Sequence, residues 1–205
     1  MLLIKNEEKK ALLNKGLFIF CMKVSINKEK FFIHSLLWAF IMSVVFYFIF
    51  YIFLFGKIDD LIKHTATTIY DYGVSFSVAI VFFTIIFGFV LHEFIHGVFS
   101  IFFTKDIKAV RFGIMPKQMM FYCHCKKPLY VNNYLTMVIA PFIIMGLIPF
   151  ASGLYFENLF AIFFGYIFSV AAIGDLYIIY LVLKNYQKKY IKDSETEIGG
   201  NYIDI

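Results

Sequence analysis

The chain has 205 residues, of which 61% are hydrophobic and only 16% charged, with 28 Phe and 14 Tyr. Soluble domains run at roughly 45 to 50% apolar and about 25% charged, so this composition excludes one and marks an integral membrane protein. The net charge of +5 sits at the ends of the apolar runs, which reads as membrane orientation and excludes nucleic-acid binding.

The first 30 residues form a cytosolic N-terminal segment with no signal peptide. Its apolar patch from Leu12 to Met22 is split by Lys15 and too short to span. It is expected to lie along the membrane surface with its lysines at the headgroups. Three runs, Phe31 to Gly56, Tyr72 to His92 and Pro128 to Phe156, carry no Asp, Glu, Lys or Arg, and a fourth, Asn158 to Leu183, is interrupted only by Asp175. Each is long enough to cross a bilayer. The expected fold is therefore an all-α membrane protein of about four transmembrane helices. Residues 31–183 form the membrane domain and residues 184–205 a cytosolic tail with no fold of its own.

Orientation follows from Lys and Arg. Residues 1–30 contain seven, 57–71 two, 104–127 six, the turn near Glu157 none and 184–205 four. That alternation predicts both termini in the cytosol of a multi-pass cell-membrane protein. The three cysteines, Cys21, Cys123 and Cys125, then face a reducing compartment and form no disulfide framework.

In the first span, Trp38 and His34 near the cytosolic end read as interface anchors rather than ligands. The outer loop, with Asp59, Asp60, His64 and Asp71, reads as solvated, with His64 and a nearby aspartate a weak cation site at most.

The second span carries His92-Glu93-Phe94-Ile95-His96. On a helix the two histidines lie one turn apart on one face, so two imidazole nitrogens can reach one metal ion. Glu93, about 100° round the helix, is set beside a metal-bound water as its base. In a soluble protein such a pair is often only a surface feature. Here, charged groups at a helix centre cost about 2.5 to 3.5 kcal/mol each on insertion scales, so they are functional by default. Thr84, Gly88, His92, His96 and Ser100 recur every four residues as a small and polar stripe, which places the motif toward the bundle.

Between the second and third spans, residues 106–130 alternate in β fashion around Pro116 and predict a cytosolic β-hairpin. That hairpin either covers the site or holds an extended substrate strand along its edge. Within it, Tyr122-Cys123-His124-Cys125 fails as a zinc knuckle, because residues two apart on a strand share a face while the middle one points opposite. In the third span Pro141 and Pro149 imply a kink and freed carbonyls.

Asp175 in the fourth span needs a partner. Both His96 and Asp175 stand nine residues before a lysine, Lys105 and Lys184 respectively, on helices running the same way. At about 1.5 Å per residue the two lie at similar depth, roughly 13 Å from the cytosolic helix ends. Asp175 is thus the candidate third ligand to Zn²⁺, with Glu195, Glu197 and His124 as rivals.

With these residues the chain resembles a bacterial membrane family of zincin peptidases described as a domain of unknown function. The resemblance runs from about His92 to the C-terminus. It rests on His92-Glu93-Phe94-Ile95-His96-Gly97, Tyr122-Cys123-His124-Cys125-Lys126 with Pro128-Leu129, Ala140-Pro141-Phe142, Gly174-Asp175-Leu176 and Thr196-Glu197-Ile198-Gly199. One departure is Asp193-Ser194-Glu195, where the family is associated with Asp-His-Pro. More distantly the chain is similar to the site-2 protease class of intramembrane metalloproteases. That likeness implies His92, His96 and Asp175 as zinc ligands and Glu93 as general base; His124 and Glu197 are candidate accessory residues beside them. The implied function is a zinc-dependent peptidase cutting a membrane protein or peptide near the cytosolic face of the bilayer. A non-catalytic metal carrier or interaction scaffold is the alternative.

The charge alternation makes its own prediction. Cysteine labelling at positions 10, 64, 117 and 192 in intact cells should mark only position 64 from outside, and external labelling at 117 would overturn the topology.

Overall fold

The computed structural model describes residues 22–25, 28–115, 120–184, 186, 189–193 and 199–203. In chain order these form β1 (Met22–Ser25), α1 (Lys28–Leu54), α2 (Ile58–Tyr72), α3 (Val74–Thr104), a 3-10 turn (Ile107–Ala109), β2 (Val110–Met115), β3 (Met120–Cys125) and β4 (Leu129–Tyr130). There follow α4 (Val131–Pro141), a π turn (Phe142–Leu147), α5 (Ile148–Tyr155), α6 (Leu159–Ala171), α7 (Ile173–Lys184), β5 (Tyr190–Asp193) and β6 (Gly199–Ile203).

Three stretches are long and apolar enough to cross a membrane: Phe31–Leu54, Val74–Thr104 and Val131–Tyr155. The pair α6 and α7, bent by 45°, makes a fourth if it is one broken span. The molecule is a mostly helical, multi-pass membrane protein. On α1 and α3 the large side chains Phe40, Tyr47, Phe48, Phe83 and Phe87 stand exposed, as lipid-facing residues do when no water drives them inward.

Two expectations are corrected here. The outer stretch after α1 is not an open loop: Ile58–Tyr72 is a helix, with Asp59 and Asp60 in its first turn and Leu61 buried. Acidic side chains there complement the partial positive charge of a helix start. Gly73, at φ 85°, supplies the positive φ that lets the chain turn from α2 into α3 without a break in sequence. His64 is exposed on this helix, and the lysine just before it, Lys57, pairs with Glu157 at the α5–α6 turn.

The tail, likewise, has structure. β5 and β6 join β1 and β4 in one antiparallel sheet of order β1-β6-β5-β4. Met22 pairs with Tyr202 and Leu129 with Ile191. The segments flanking the helical domain therefore meet at the end of the bundle where α3 finishes and α4 begins. The expected hairpin is present as β2 and β3, with Val110 opposite Cys125 and Met115 opposite Met120. The amphipathic patch from Leu12 to Cys21 lies outside the described residues.

Three apolar clusters stack along the bundle. Leu129, Val131, Tyr134, Val138, Val182, Ile191 and Tyr202 fasten the sheet to α4 and α7. Ile95, Ala140, Met145 and Phe168 fill the middle. Phe46, Leu54, Phe150 and Ile162 close the far end. Close helix approach depends on small residues: a Cβ at Gly165 would strike the backbone of Phe150 and the Gly146 carbonyl, so only glycine lets α6 lie this near the third span. Trp38, expected as an anchor, packs its ring against Tyr177 and Tyr180 of α7.

Pro141 has a local consequence that positions a histidine. It has no N–H to give the carbonyl four residues back, that of Met137. The chain then passes into the π turn, and the Met137 carbonyl accepts instead from His96 Nδ1 on α3 at 3.0 Å. Pro141→Ala restores the competing donor. We expect ¹⁵N NMR of the His96 ring to move from one Nδ1-protonated tautomer toward a mixture, with the histidine signals of His64 unchanged.

Candidate metal centre

His92 and His96 are on α3, a mainly apolar helix with a small and polar stripe toward the bundle. Gly88, His92, His96 and Ser100 on that stripe are all buried. Gly88 accepts the Phe168 ring of α6 against its backbone, which draws α3 inward. Ser100 donates to the His96 carbonyl at 2.8 Å, closing the stripe at its lower end.

Asp175 arrives from the bend between α6 and α7. Ala172 leaves the helical path, and Asp175 sits in the first turn of the new helix. A carboxylate there is favoured by the helix dipole, and a straight helix would carry the residue past the site. Where one unbroken helix was expected, α6 and α7 meet at a 45° bend, and the acid of this stretch lies just after it.

These three side chains converge. Asp175 Oδ2 is 2.9 Å from His92 Nε2 and 3.5 Å from His96 Nε2. One donor atom from each residue falls within 4.8 Å of the other two. The side chains are 11%, 11% and 18% exposed, so an unpaired charge would be costly and each must be answered by a partner. His96 is oriented by the Met137 carbonyl through Nδ1, leaving Nε2 turned to Asp175. His92 Nδ1 is buried, with no hydrogen-bond partner among the described residues.

The residues fit a divalent metal. Two imidazole nitrogens and one carboxylate oxygen are the donor set of a three-ligand zinc site with an open fourth position. Ligand atoms at about 2.0 to 2.2 Å from one zinc stand roughly 3.3 to 3.6 Å apart; the His96–Asp175 separation of 3.5 Å meets this, and the His92–Asp175 separation of 2.9 Å is a direct hydrogen bond that a metal would part. The outward contact of His96 is of the kind that fixes ligating imidazoles.

Glu93 is half-buried on the next face of α3. The backbone of Cys123 on β3 lies beside its carboxylate, and His96, His92 and Asp175 are its charged neighbours. Alternate amides of β3 point away from β2, those of Cys123 and Cys125 among them. That of Cys125 donates to Asp193 Oδ2 at 3.2 Å.

His124 does not join the three donors. It is buried, and its Nδ1 lies 3.8 Å from Asp193 Oδ2. Asp193 also accepts from the Tyr134 hydroxyl at 3.3 Å. Burial raises the Asp193 pKa, opposed by the Cys125 amide and His124. The Cys123 thiol is pushed up to about 12, first by burial and then by Glu93, so it stands as a neutral thiol beside the site. Glu195 and Glu197, the other rivals for third ligand, lie outside the described residues. Sequence reading missed Asp193 and Tyr134, for which no spacing signal exists. The role of the Met137 carbonyl was signalled, since it stands four residues before a proline.

No curated protein and no solved structure matches the chain. A family model for a domain of unknown function, described as "Putative zincin peptidase", matches residues 85–190. That range takes in the histidine motif, both strands of the hairpin, the kinked third span and Asp175. The match covers just over half of the chain, which thus belongs to this zincin peptidase family.

Proposed function

We propose that this protein is a zinc-dependent, membrane-embedded peptidase that hydrolyses a peptide bond near the membrane face carrying the two sheets. The Lys and Arg distribution argues that this face is cytosolic, in a multi-pass cell-membrane protein. The observation that carries the reading is the convergence of His92, His96 and Asp175 directly beside Glu93. An aspartate and two histidines brought from separate helices into an apolar bundle are hard to account for by packing alone.

In this reading His92, His96 and Asp175 would hold Zn²⁺, which would supply a Lewis acid for the substrate carbonyl and a water whose pKa is lowered to about 7. Glu93, one residue after a ligand, takes the proton of the attacking water and returns it to the leaving amine nitrogen. The Cys123 backbone lies beside that carboxylate and limits its turning, which spares reorganisation during proton transfer. Asp175 keeps the imidazole pair in place, and the Met137 carbonyl fixes which His96 nitrogen is free. The substrate is a membrane protein or peptide whose scissile segment is extended at the site.

Transport is less well supported. A carrier needs polar groups along its whole path, and the far-end cluster of Phe46, Leu54, Leu61, Phe150, Leu154 and Ile162 offers none.

Elemental analysis of the purified chain should find close to one zinc, and Asp175→Ala should lose most of it; full retention would move the third ligand elsewhere. In vesicles containing a cleaved membrane substrate, Glu93→Gln should keep zinc but lower the rate by about 10² to 10⁴, the usual cost of losing a general base. Unchanged cleavage by that variant would reject the mechanism. Zinc movement by the wild type without any cleavage would favour the carrier.

A further inference from the structure

Asp193 lies on the tail strand β5, outside the match to the family model, yet it is tied to three elements around the site. It takes the Cys125 amide of β3 at 3.2 Å and the Tyr134 hydroxyl of α4 at 3.3 Å. The His124 ring stands 3.8 Å from the same carboxylate. Tyr134 is one turn before Met137, whose carbonyl holds His96. Cys125 is two residues after Cys123, whose backbone lies beside Glu93. One carboxylate thus stands behind both the strand next to the base and the helix that orients a histidine.

We propose that Asp193 is a positioning residue, and that through it the tail strand is a working part of the site, setting β3 so that the Cys123 amide meets Glu93. The inference rests on the reading of Glu93 as the base. Its physical reason is the pleat of β3. The amides of Cys123 and Cys125 leave the same edge about 7 Å apart, twice the rise per residue, so fixing one fixes the direction of the other. β2 pairs with the opposite edge, and just beyond the two strands the Lys126 amide donates to the Ala109 carbonyl of the 3-10 turn at 2.8 Å. Asp193 alone reaches the Cys125 amide from the site side among the described residues. The Tyr134 hydroxyl and His124 keep its carboxylate from turning away.

Amide hydrogen exchange on the full chain, ¹⁵N-labelled at cysteine and tyrosine and held in lipid nanodiscs with zinc, tests this without a substrate. Asp193→Asn should speed exchange at both Cys125 and Cys123 by about tenfold to a hundredfold, the scale of losing a hydrogen bond to a charged acceptor. Tyr202, paired in the same sheet, should be unchanged, and so should zinc content. Glu93→Gln should speed Cys123 and leave Cys125 as it was. Tyr134→Phe, which removes only a hydroxyl, should act in the direction of Asp193→Asn with smaller size, and serves if the first variant does not fold. Faster exchange at Cys125 alone would make Asp193 a mere edge cap and overturn the proposal. Equal acceleration at Tyr202, or loss of zinc, would overturn it too, as a general loosening or a direct ligand. None of these readings depends on cleavage, so a failed peptidase assay and a failed coupling are separable.

Discussion

A carboxylate inside an apolar helix bundle must find a partner, and the arrangement of this protein follows from how Asp175 finds two. The contacts of its Oδ2 to His92 and His96 join a helix from the second span to one from the fourth. Neither partner tolerates burial alone, because a charge or an unsatisfied polar group there costs several kcal/mol. The helices are shaped to let this contact form. α6 ends at Ala171 so that α7 can start with Asp175 in its first turn. α3 presents glycine where Phe168 crosses it. α4 packs against both α3 and α7 and supplies the Met137 carbonyl at the level of His96.

The polar centre also reaches out of the helices into the sheets. Its outward contacts include backbone: the Met137 carbonyl accepts from His96, and the Cys123 backbone of β3 lies beside Glu93. Backbone groups are fixed by the elements they belong to, so they orient a side chain at little cost in side-chain entropy. The hairpin packs against α3. In the four-stranded sheet that carries Asp193, Tyr202 and Ile191 are fully buried, which docks that sheet against α4 and α7.

Length and the long uncharged apolar runs were enough to determine a multi-pass membrane protein with its spans nearly in register with the observed helices. His92, Glu93 and His96 were legible because a four-residue spacing on a helix is itself a geometric statement. Asp175 was legible because an acid in an apolar run is rare and equal depth can be counted along two helices running the same way. Pro141 announced a freed carbonyl, though not which group would take it.

Only the tertiary structure decided the rest. The bend at Ala172 and the sheet β1-β6-β5-β4 carry no periodicity strong enough to read locally, whereas Ile58–Tyr72 has an amphipathic helical pattern that a short polar loop reading passed over. The strands are five residues long or shorter, and two of their pairings, Met22 with Tyr202 and Leu129 with Ile191, join distant segments, so those hydrogen bonds exist only once the bundle has formed. Asp193 belongs to that class. In sequence it is one acid in a charged tail; in the fold its carboxylate is enclosed by Cys125, Tyr134 and His124. Local pattern specifies which residues can do chemistry when the pattern is a helix turn. Which distant residues hold them in place is set by long-range pairing, and a sequence pattern with a period of two or 3.6 residues does not encode that.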